Sequence, residues 1–304
     1  MTRVTSHAEV PAGEETPPST ETEEIDALRT ATVDLPDGRE LAYSVCGPED
    51  GSPVVVHHGT PGSRLFAALL ADDAVEADVR LITPDRPGYG CSSPPPDGWT
   101  WGDWPADLTR VLDAESIDRA GLCGFSGGGP FAIAAAESDR ATRLALSSAV
   151  VPPADDGLAR LARIPYALRL LFPLFRAFAS VSGPESVVSQ YTDRSVSPAV
   201  ARAVAADFHE ALAGGTNDGG ARGAIGGASA VEHESRSFAT ESVDPDRLDL
   251  PVRAWHGIRD DNAPAAPVRE FVDDCGGTLT TADADHLGTL LDHGSDVLRW
   301  LATE

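Results

Sequence analysis

The residues best suited to chemistry in this sequence are a serine, an aspartate and a histidine that occur in that order along the chain. Ser126 lies in the pentapeptide Gly-Phe-Ser-Gly-Gly (124–128), Asp260 ends the segment 256–260, and His286 opens the last part of the chain. A serine hydroxyl is a weak nucleophile at neutral pH, and it becomes reactive when a histidine takes its proton and an acid orients that histidine. We therefore predict that Ser126, Asp260 and His286 are catalytic residues.

The glycines beside Ser126 indicate a strained turn between a strand and a helix. The pentapeptide follows an apolar run at 119–123 that predicts a strand, and it precedes an alanine-rich run at 130–136 that predicts a helix. Such a turn lifts the serine hydroxyl clear of the sheet, and side chains at Gly124 and Gly128 would clash with the neighbouring strand and helix. The N-terminal amides of the following helix would point toward the same place.

An acyl-transfer reaction also needs hydrogen-bond donors for the negative charge that develops on the carbonyl oxygen. The amide of Gly127 is one predicted donor. The second is expected from the segment His-Gly-Thr-Pro-Gly (58–62), which follows the predicted strand 54–57. Because Pro61 has no N–H, Thr60 provides the last free amide before the turn. The residues expected to support the elbow and this loop are His58, Gly59, Gly124 and Gly128.

Other acids and histidines are alternatives to these assignments. Asp261 adjoins Asp260 and could be the acid instead, although the spacing Gly-x-x-Asp-x-x-x-Pro over 257–264 favours Asp260. His57 and His58 precede the serine, and support of the oxyanion loop is the favoured role for both. Four further histidines are expected to pack in the structure or to face solvent: His209, His233, His256 and His293. For His209 and His233, a contact with substrate stays open as an alternative.

The chain around these residues alternates between strand and helix patterns. A hairpin across Asp37-Gly38 is predicted to join two strands. Further strands are predicted at 54–57, 79–83, 119–123, 143–151, 252–256 and 278–282, and helices at 65–75, 101–114, 130–136, 268–274 and 287–301. This alternation predicts an α/β fold with a mostly parallel sheet and helices on both faces. Ser126, Asp260 and His286 each follow the C-terminal end of a predicted strand, where such sheets bind ligands.

The pattern also divides the chain into regions. Residues 1–28 are rich in Pro, Thr, Glu and Ala and are predicted to form a disordered, acidic N-terminal tail. Residues 29–152 and 249–304 are predicted to form the α/β core. Residues 153–248 carry helical patterns and no convincing strand, which predicts a helical cap inserted into the core. An apolar stretch of this cap, 158–179, is expected to pack over the active site.

Five segments resemble motifs of the α/β-hydrolase family, in its esterase-like and proline-iminopeptidase-like branch of serine hydrolases. They are His-Gly-Thr-Pro-Gly at 58–62, Pro-Asp-Arg-Pro-Gly-Tyr-Gly-Cys-Ser at 84–92, Gly-Phe-Ser-Gly-Gly at 124–128, His-Gly-Ile-Arg-Asp at 256–260 and Asp-His at 285–286. The resemblance implies eight strands with the second antiparallel, a cap after the sixth strand, and the site residues assigned above. Residues 84–90 are expected to shape a turn and to take no part in catalysis. The iminopeptidases carry His-Gly-Gly-Pro-Gly and Gly-Gly-Ser-Trp-Gly, so this sequence departs from them at Thr60, Phe125 and Gly127.

The composition excludes several classes of protein. Asp and Glu number 48 against 23 basic residues, for a net charge of −25, and every basic residue is arginine. Binding to nucleic acid needs a basic patch, and anionic lipid would repel this chain, so neither partner is expected. Only a small part of the charge lies in residues 1–28, so the folded body is acidic. We expect a surface adapted to high salt, as in a halophile.

Four cysteines lie far apart in the sequence, at Cys46, Cys91, Cys123 and Cys275. This spacing predicts neither a disulfide framework nor a metal site, and with no signal pattern at the N-terminus it favours a cytoplasmic location. The expected function is a cofactor-free serine hydrolase that cleaves an ester or amide of a small to medium substrate. The alternatives on the same triad are an aminopeptidase, a thioesterase or a C–C hydrolase. A catalytically silent binding protein is the alternative outside the enzymes, and the oligomeric state stays open.

Overall fold

Eight strands form one sheet in the order β1-β2-β4-β3-β5-β6-β7-β8. A computed structural model describes Ile25 and residues 28–154, 183–213 and 226–303. The strands are β1 (Arg29–Asp34), β2 (Glu40–Cys46), β3 (Ser52–His57), β4 (Val79–Pro84), β5 (Ala120–Phe125), β6 (Ala141–Ser147), β7 (Val252–Gly257) and β8 (Thr278–Ala282).

The sheet is parallel except at its second strand. β2 pairs antiparallel with both β1 and β4, and every other neighbouring pair is parallel. The hairpin between β1 and β2 turns at Gly38, whose φ of +86° lies in the left-handed region that favours glycine. The predicted eight-stranded sheet with an antiparallel second strand is confirmed.

Helices cover both faces of this sheet, as predicted. They are α1 (Ala71–Glu76), α2 (Trp104–Ala114), α3 (Gly129–Ala136), α4 (Pro184–Val188), α5 (Pro198–Ala213), α6 (Gly226–Thr240), α7 (Ala265–Asp274) and α8 (His286–Leu301). One hydrophobic core contains Ala74 of α1 and Leu290 of α8. The other contains Trp104 of α2, Phe131 of α3 and Phe271 of α7. β3 and β5 lie between the two cores, which explains why they lack a polar alternation.

Two predicted elements differ from the structure by more than a small shift of their ends. The helix predicted at 65–75 is a 3₁₀ turn at Arg64–Leu69 followed by the short helix α1, because Leu70 leaves helical geometry with φ −121° and ψ 6°. The strand predicted at 143–151 ends at Ser147, because Ser148 adopts a positive φ of 43°. The chain then crosses the C-terminal edge of the sheet, where the amide of Val150 donates to the carbonyl of Ser126 at 2.8 Å.

The described residues between β6 and β7 form α4, α5, α6 and one 3₁₀ turn at Pro245–Arg247, and none of them is in a strand. Polar contacts join this block to the core. Asp207 of α5 accepts hydrogen bonds from the amide and hydroxyl of Ser63 at 2.7 and 2.8 Å. Glu210, one turn further on, pairs with Arg64 at 2.6 Å. The apolar stretch 158–179 that we expected to cover the site lies outside the described residues.

Packing begins before β1, inside the range predicted as a tail. Leu28 is buried, and Ile25 packs against the same core. The large apolar side chains at these two positions explain the difference from the predicted boundary. Among the described residues the four cysteines are free. None of the helices in this part of the chain combines the length and apolar character needed to cross a membrane.

Candidate active site

Ser126 lies at the sharp turn between β5 and α3. Its φ is +52°, a left-handed conformation that a residue with a side chain adopts at a cost of about 1–3 kcal/mol. The residue opens a 3₁₀ turn, Ser126–Gly128, that leads directly into α3. The amide groups at the start of this helix therefore face the region of the serine, where negative charge would be stabilised.

The glycines on either side of the serine have almost no room for a side chain. A Cβ placed on Gly124 would lie 2.8 Å from the carbonyl oxygen of Gly128, and one on Gly128 would lie 2.2 Å from the carbonyl oxygen of His57. Real Cβ atoms do not approach backbone this closely. The turn is thus packed between the end of β3 and the start of α3, which is the close approach that the sequence pattern predicts.

Asp260 and His286 form a hydrogen-bonded pair. His286 Nδ1 lies 2.8 Å from Oδ2 and 3.0 Å from Oδ1 of Asp260. His286 is the first residue of α8. Asp260 lies in the loop that follows β7, which ends at Gly257. Both side chains are almost completely buried. The structure therefore brings together the acid and the base that the sequence predicts, although they come from separate elements.

The carboxylate of Asp260 is held by the turn that follows it. Its Oδ1 accepts hydrogen bonds from the amides of Asn262 and Ala263, both at 2.9 Å. Burial raises the pKa of Asp260, but the interaction with His286 and the hydrogen bond from the amide of Ala263 outweigh burial and leave that pKa below its ordinary value. Asp261, the alternative acid, is exposed to solvent. The charged form of Asp260 is therefore the stable one beside His286.

Ser126 and His286 belong to the same small region of the structure. The ring of Phe125, the residue before Ser126, lies 5.0 Å from the ring of His286 between centroids. Nε2 of His286 is buried and has no hydrogen-bond partner among the described residues. With Nδ1 facing the carboxylate of Asp260, this nitrogen is the free acceptor of the imidazole.

Thr60 and Gly127, the two predicted oxyanion donors, are packed against each other. A Cβ on Gly127 would lie 2.1 Å from Oγ1 and 3.2 Å from the amide nitrogen of Thr60. Within the described residues the Thr60 amide donates no hydrogen bond. Two of the three departures from the iminopeptidase motifs, Thr60 and Gly127, are thus related, because the side chain of Thr60 fills the space that a larger residue at position 127 would need. Gly59 also approaches the serine, since its Cβ would lie 3.3 Å from that of Ser126.

A pocket opens beside Ser126 between the core and the cap. The space within it that admits a water-sized molecule is about 30 Å³, and it is partly open to solvent. Most of its wall is apolar, and the residues that line it are Gly59, Thr60, Pro61, Phe66, Leu69, Phe125, Ser126, Tyr191, Val204, Asp207, Phe208 and Leu287.

Asp207 is the acidic residue of this pocket wall. Ser63 donates both of its hydrogen bonds to Oδ1, and no arginine pairs with the carboxyl group in the described structure. Burial raises the pKa of Asp207 to about 7, even though the hydrogen bonds from Ser63 act in the opposite direction. Nothing in the sequence singled out this residue, because the cap contains many acids and its packing depends on the tertiary fold.

Three of the other histidines, His57, His233 and His256, contact backbone or side chains of the core. His57 is buried between the carbonyl of Cys123 and the indole N–H of Trp104, both at 2.9 Å, and burial lowers its pKa to about 3. His256 contacts the carbonyl of Ala263 at 3.0 Å. His209 is exposed, whereas Nε2 of His233 lies 2.9 Å from the carbonyl of Trp99. His233 therefore joins α6 to the core and does not lie on a fully solvated helix face.

The segment 84–90, predicted to shape a turn, contributes more than a turn. Arg86 is fully buried beneath the loop 58–60 and pairs with Glu234 of α6. The sequence could point to Arg86 through its place within the motif at 84–92, but nothing in the sequence distinguishes Glu234 from the other acids of the cap. Over the described residues, no group of three or more His, Cys, Asp or Glu side chains is placed to hold a metal ion.

The sheet with its antiparallel second strand, the serine turn after β5, and the acid and histidine after β7 and β8 together define the α/β-hydrolase fold. A family model described as alpha/beta hydrolase fold matches residues 52–177. The chain therefore has the α/β-hydrolase fold.

Similar proteins extend the comparison. The chain is 37% identical over 131 residues to a non-heme chloroperoxidase of Streptomyces lividans, a match that covers 40% of this chain and 45% of that protein. The chain thus spans under half the length of this curated relative. A solved hydrolase of Pseudomonas aeruginosa PA01 has a TM-score of 0.68 at 17% identity and covers 91% of this chain and 99% of its own. An enol-lactonase of Burkholderia xenovorans LB400 has a TM-score of 0.66 at 18% identity, with 91% and 100% of the two chains covered.

Proposed function

We propose that this protein is a serine hydrolase that cleaves an ester or amide bond of a small to medium substrate through an acyl-enzyme. The observation that carries the proposal is the buried hydrogen bond between Asp260 and His286 Nδ1, which leaves Nε2 without a partner in the part of the chain that the structure describes, on a ring that packs against Phe125, the residue before Ser126. The packing histidine His57 uses both of its ring nitrogens. His256, whose Nδ1 also lacks a partner there, turns its Nε2 to the carbonyl of Ala263, whereas in His286 the Nδ1 faces a carboxylate. An unpartnered, buried Nε2 is what a general base needs before it meets a proton to accept.

In the proposed mechanism Ser126 Oγ attacks the substrate carbonyl while His286 Nε2 takes its proton. The charge on the imidazolium is stabilised by the carboxylate of Asp260, which also keeps the other ring proton on Nδ1. The amides of Gly127 and Thr60 donate hydrogen bonds to the carbonyl oxygen as it becomes negative. His286 then passes the proton to the leaving group, and water, activated by the same base, releases the acid and restores Ser126.

The shape and polarity of the pocket favour esters of modest acyl groups. Phe66, Leu69, Phe208 and Leu287 provide apolar walls close to Ser126. Burial of apolar acyl carbons against such walls is favourable by about 0.8 kcal/mol per methylene group. We therefore expect kcat/KM to rise with acyl length until the chain fills the pocket.

A second candidate is an aminopeptidase, and Asp207 is the observation that favours it. A protonated amine would pair with this carboxylate in the pocket wall, where the described structure provides no arginine as a partner. This candidate predicts that amino-acid arylamides are better substrates than neutral esters of equal size. Asp207→Asn would then weaken the arylamide reaction by about 10-fold or more and leave the neutral ester reaction nearly unchanged, since a hydrogen bond to a charged group is worth about 1.5–3 kcal/mol.

A fluorophosphonate probe tests the proposal directly. The probe should label the wild-type protein once, at Ser126, and Ser126→Ala should lose the label and lose ester hydrolysis by at least about 10³-fold. Ser116→Ala is a matched control, since Ser116 also has a positive φ of 56° and is exposed to solvent. Labelling at another residue, or activity retained by Ser126→Ala, would contradict the assignment. A folded wild-type protein that takes up no probe would favour the catalytically silent binding protein.

A further inference from the structure

A buried ion pair joins the core to cap helix α6 directly beneath the loop 58–60. Arg86 follows β4, and its side chain is completely buried. Its Nε and Nη2 donate to the two carboxylate oxygens of Glu234 at 2.8 and 2.9 Å. This bidentate arrangement is the strongest form of pairing between arginine and a carboxylate, and it defines the orientation of both groups.

The same guanidinium group contacts three consecutive residues of the loop. Nη1 donates to the carbonyl oxygen of His58, and Nη2 donates to the carbonyl oxygen of Gly59 at 3.1 Å and to Oγ1 of Thr60 at 2.9 Å. The loop therefore has its carbonyl groups directed down toward Arg86. Because a peptide unit is planar, the direction of one carbonyl determines the direction of the N–H that follows it. The carbonyl of Gly59 thus sets the orientation of the Thr60 amide.

Glu234 completes this contact from the side of the cap. Its Oε2 accepts hydrogen bonds from Oγ1 of Thr60 at 2.8 Å and from the hydroxyl of Tyr89 at 2.9 Å. The hydroxyl of Thr60 thus donates to Glu234 and accepts from Arg86. Four donors already occupy the carboxylate of Glu234, which leaves little capacity for a hydrogen bond to substrate.

His58 adds a neutral ring to the same cluster. The amide of Arg86 lies 3.2 Å from its Nε2, and its Nδ1 lies 2.8 Å from the carbonyl of Gly59 and 3.0 Å from Nη1 of Arg86. Burial and the positive charge of Arg86 hold the pKa of His58 well below its ordinary value. We call Arg86, Glu234, Tyr89, His58 and Thr60 the Arg86 network.

We propose that Glu234 and Arg86 are positioning residues that hold the Thr60 amide in the orientation needed to receive the oxyanion. The inference rests on the proposed function and extends it, because it makes the rate of acyl transfer depend on a carboxylate supplied by the cap. Neither residue touches the reacting atoms; both act through the loop 58–60. A contribution limited to folding would lower stability alone, whereas a positioning role affects the transition state more than the bound substrate.

Conservative variants separate these two roles. Glu234→Gln preserves size and removes the charge, and Thr60→Val preserves shape and removes the hydroxyl, while Thr60→Ser restores the hydroxyl. We expect Glu234→Gln and Thr60→Val to lower kcat for a p-nitrophenyl ester by about 10-fold or more, with KM within about twofold of wild type. Loss of a complete oxyanion donor costs about 10²–10³-fold in kcat, and a misplaced donor should cost less. The kcat of Thr60→Ser should stay within about threefold of wild type. Glu232→Gln is the matched control, since Glu232 lies on the same helix and pairs with Arg236 at 3.0 Å. It should keep the wild-type kcat.

A boronic acid inhibitor, which forms a tetrahedral adduct with the serine, provides an independent measure. Its affinity should fall across these variants in proportion to kcat/KM. A rise in KM at unchanged kcat, or wild-type inhibitor affinity in Glu234→Gln, would overturn the positioning role.

Amide hydrogen exchange separates failure of this inference from failure of the proposed function. Peptides that contain residues 57–62 should exchange faster in Glu234→Gln than in wild type or Glu232→Gln, whether or not the protein proves to be a hydrolase. If the wild-type protein reacts with no probe but Glu234→Gln still exchanges faster than wild type, hydrolysis is refuted and the structural role of Glu234 is retained. A reactive wild-type protein with the same exchange in all three forms would refute the role of Glu234 alone.

Discussion

Nδ1 of His286 lies within 3.0 Å of both carboxylate oxygens of Asp260, at 2.8 Å from Oδ2 and 3.0 Å from Oδ1. Oδ1 is also held by two amides of the turn 260–263, so the carboxylate cannot rotate without breaking them. This arrangement keeps the proton of a neutral His286 on Nδ1 and leaves Nε2 as the acceptor. The pair therefore defines the tautomer that a general base requires.

Asp260→Asn is expected to reverse that preference. An amide NH₂ facing Nδ1 would favour the tautomer with the proton on Nε2, and kcat should fall by about 10⁴-fold with little change in structure. Ester hydrolysis measured at saturating substrate tests this expectation. Asp261→Asn is the control, since its side chain is exposed and should leave kcat within about twofold. A larger loss from Asp261→Asn than from Asp260→Asn would reassign the acid.

Gly127→Ala is expected to damage the site through Thr60. The added Cβ would lie 2.1 Å from Oγ1 of Thr60, so the loop or the elbow must shift. We expect a loss of stability of about 1–3 kcal/mol, typical of overpacking, together with a fall in kcat. Urea denaturation and ester kinetics would measure the two effects.

The double variant Gly127→Ala with Thr60→Gly tests the cause of that damage. Removal of the Thr60 side chain should recover most of the stability lost by Gly127→Ala, which would appear as a favourable coupling energy in a double-mutant cycle. The kcat should recover less, because Thr60→Gly also removes the hydroxyl that contacts Arg86 and Glu234. Strictly additive changes in stability would show that the two positions do not compete for space.

Much of the fold follows from local patterns in the sequence. Residues 54–56 and 120–123 are apolar throughout because β3 and β5 are covered on both faces. The Asp37-Gly38 dipeptide supplies the positive φ that its hairpin needs. The end of β6 was placed too late, because Val150 and Val151 are apolar for a different reason: they pack at the sheet edge beside the serine turn. Periodicity alone does not separate these two kinds of burial.

The candidate site also has residues that local sequence patterns identify and residues that only the tertiary fold brings into place. Ser126 and His286 could be predicted because each lies in a short motif directly after a strand. The pairing of Arg86 with Glu234 joins residues 148 positions apart, and the second comes from a cap whose packing no local pattern specifies. The same is true of Asp207, one acid among many in the cap, which matters because α5 turns it toward the pocket.

Asp207→Asn is expected to change the pH dependence of stability. Because the folded pKa of Asp207 is about 7 and the unfolded pKa is near 4, the folded state binds more protons between these values, and stability falls as the pH rises through this window. The asparagine variant lacks this loss. Its stability relative to wild type should therefore increase from about pH 4 to pH 8, by an amount limited to about 1.4 kcal/mol per unit of pKa difference.

Denaturation of both proteins across this pH range measures that difference. Groups that titrate equally in both proteins cancel in the comparison. Asp85, whose pKa burial raises to about 6, repels Asp207 when both are charged, so part of the measured difference will report on Asp85. A constant difference between the two proteins would mean that Asp207 is ionised at neutral pH without cost, so the carboxylate would need a stabilising partner beyond Ser63.

The acidic surface leads to a final prediction about salt. With a net charge of −25, like charges lie close together; on α1, Asp72 and Glu76 together with Asp296 of α8 raise the pKa of Asp73, after the larger effect of burial. The Debye length falls from about 10 Å at 0.1 M to about 3 Å at 1 M, so salt screens this repulsion. We expect the melting temperature to rise as the KCl concentration increases from about 0.1 to 3 M.

Asp72→Asn removes one charge of the cluster, and it should raise the melting temperature at low salt and reduce the further gain from salt. A melting temperature that stays flat or falls with KCl would show that repulsion does not limit stability, and an identical salt response in Asp72→Asn would place the effect outside this cluster.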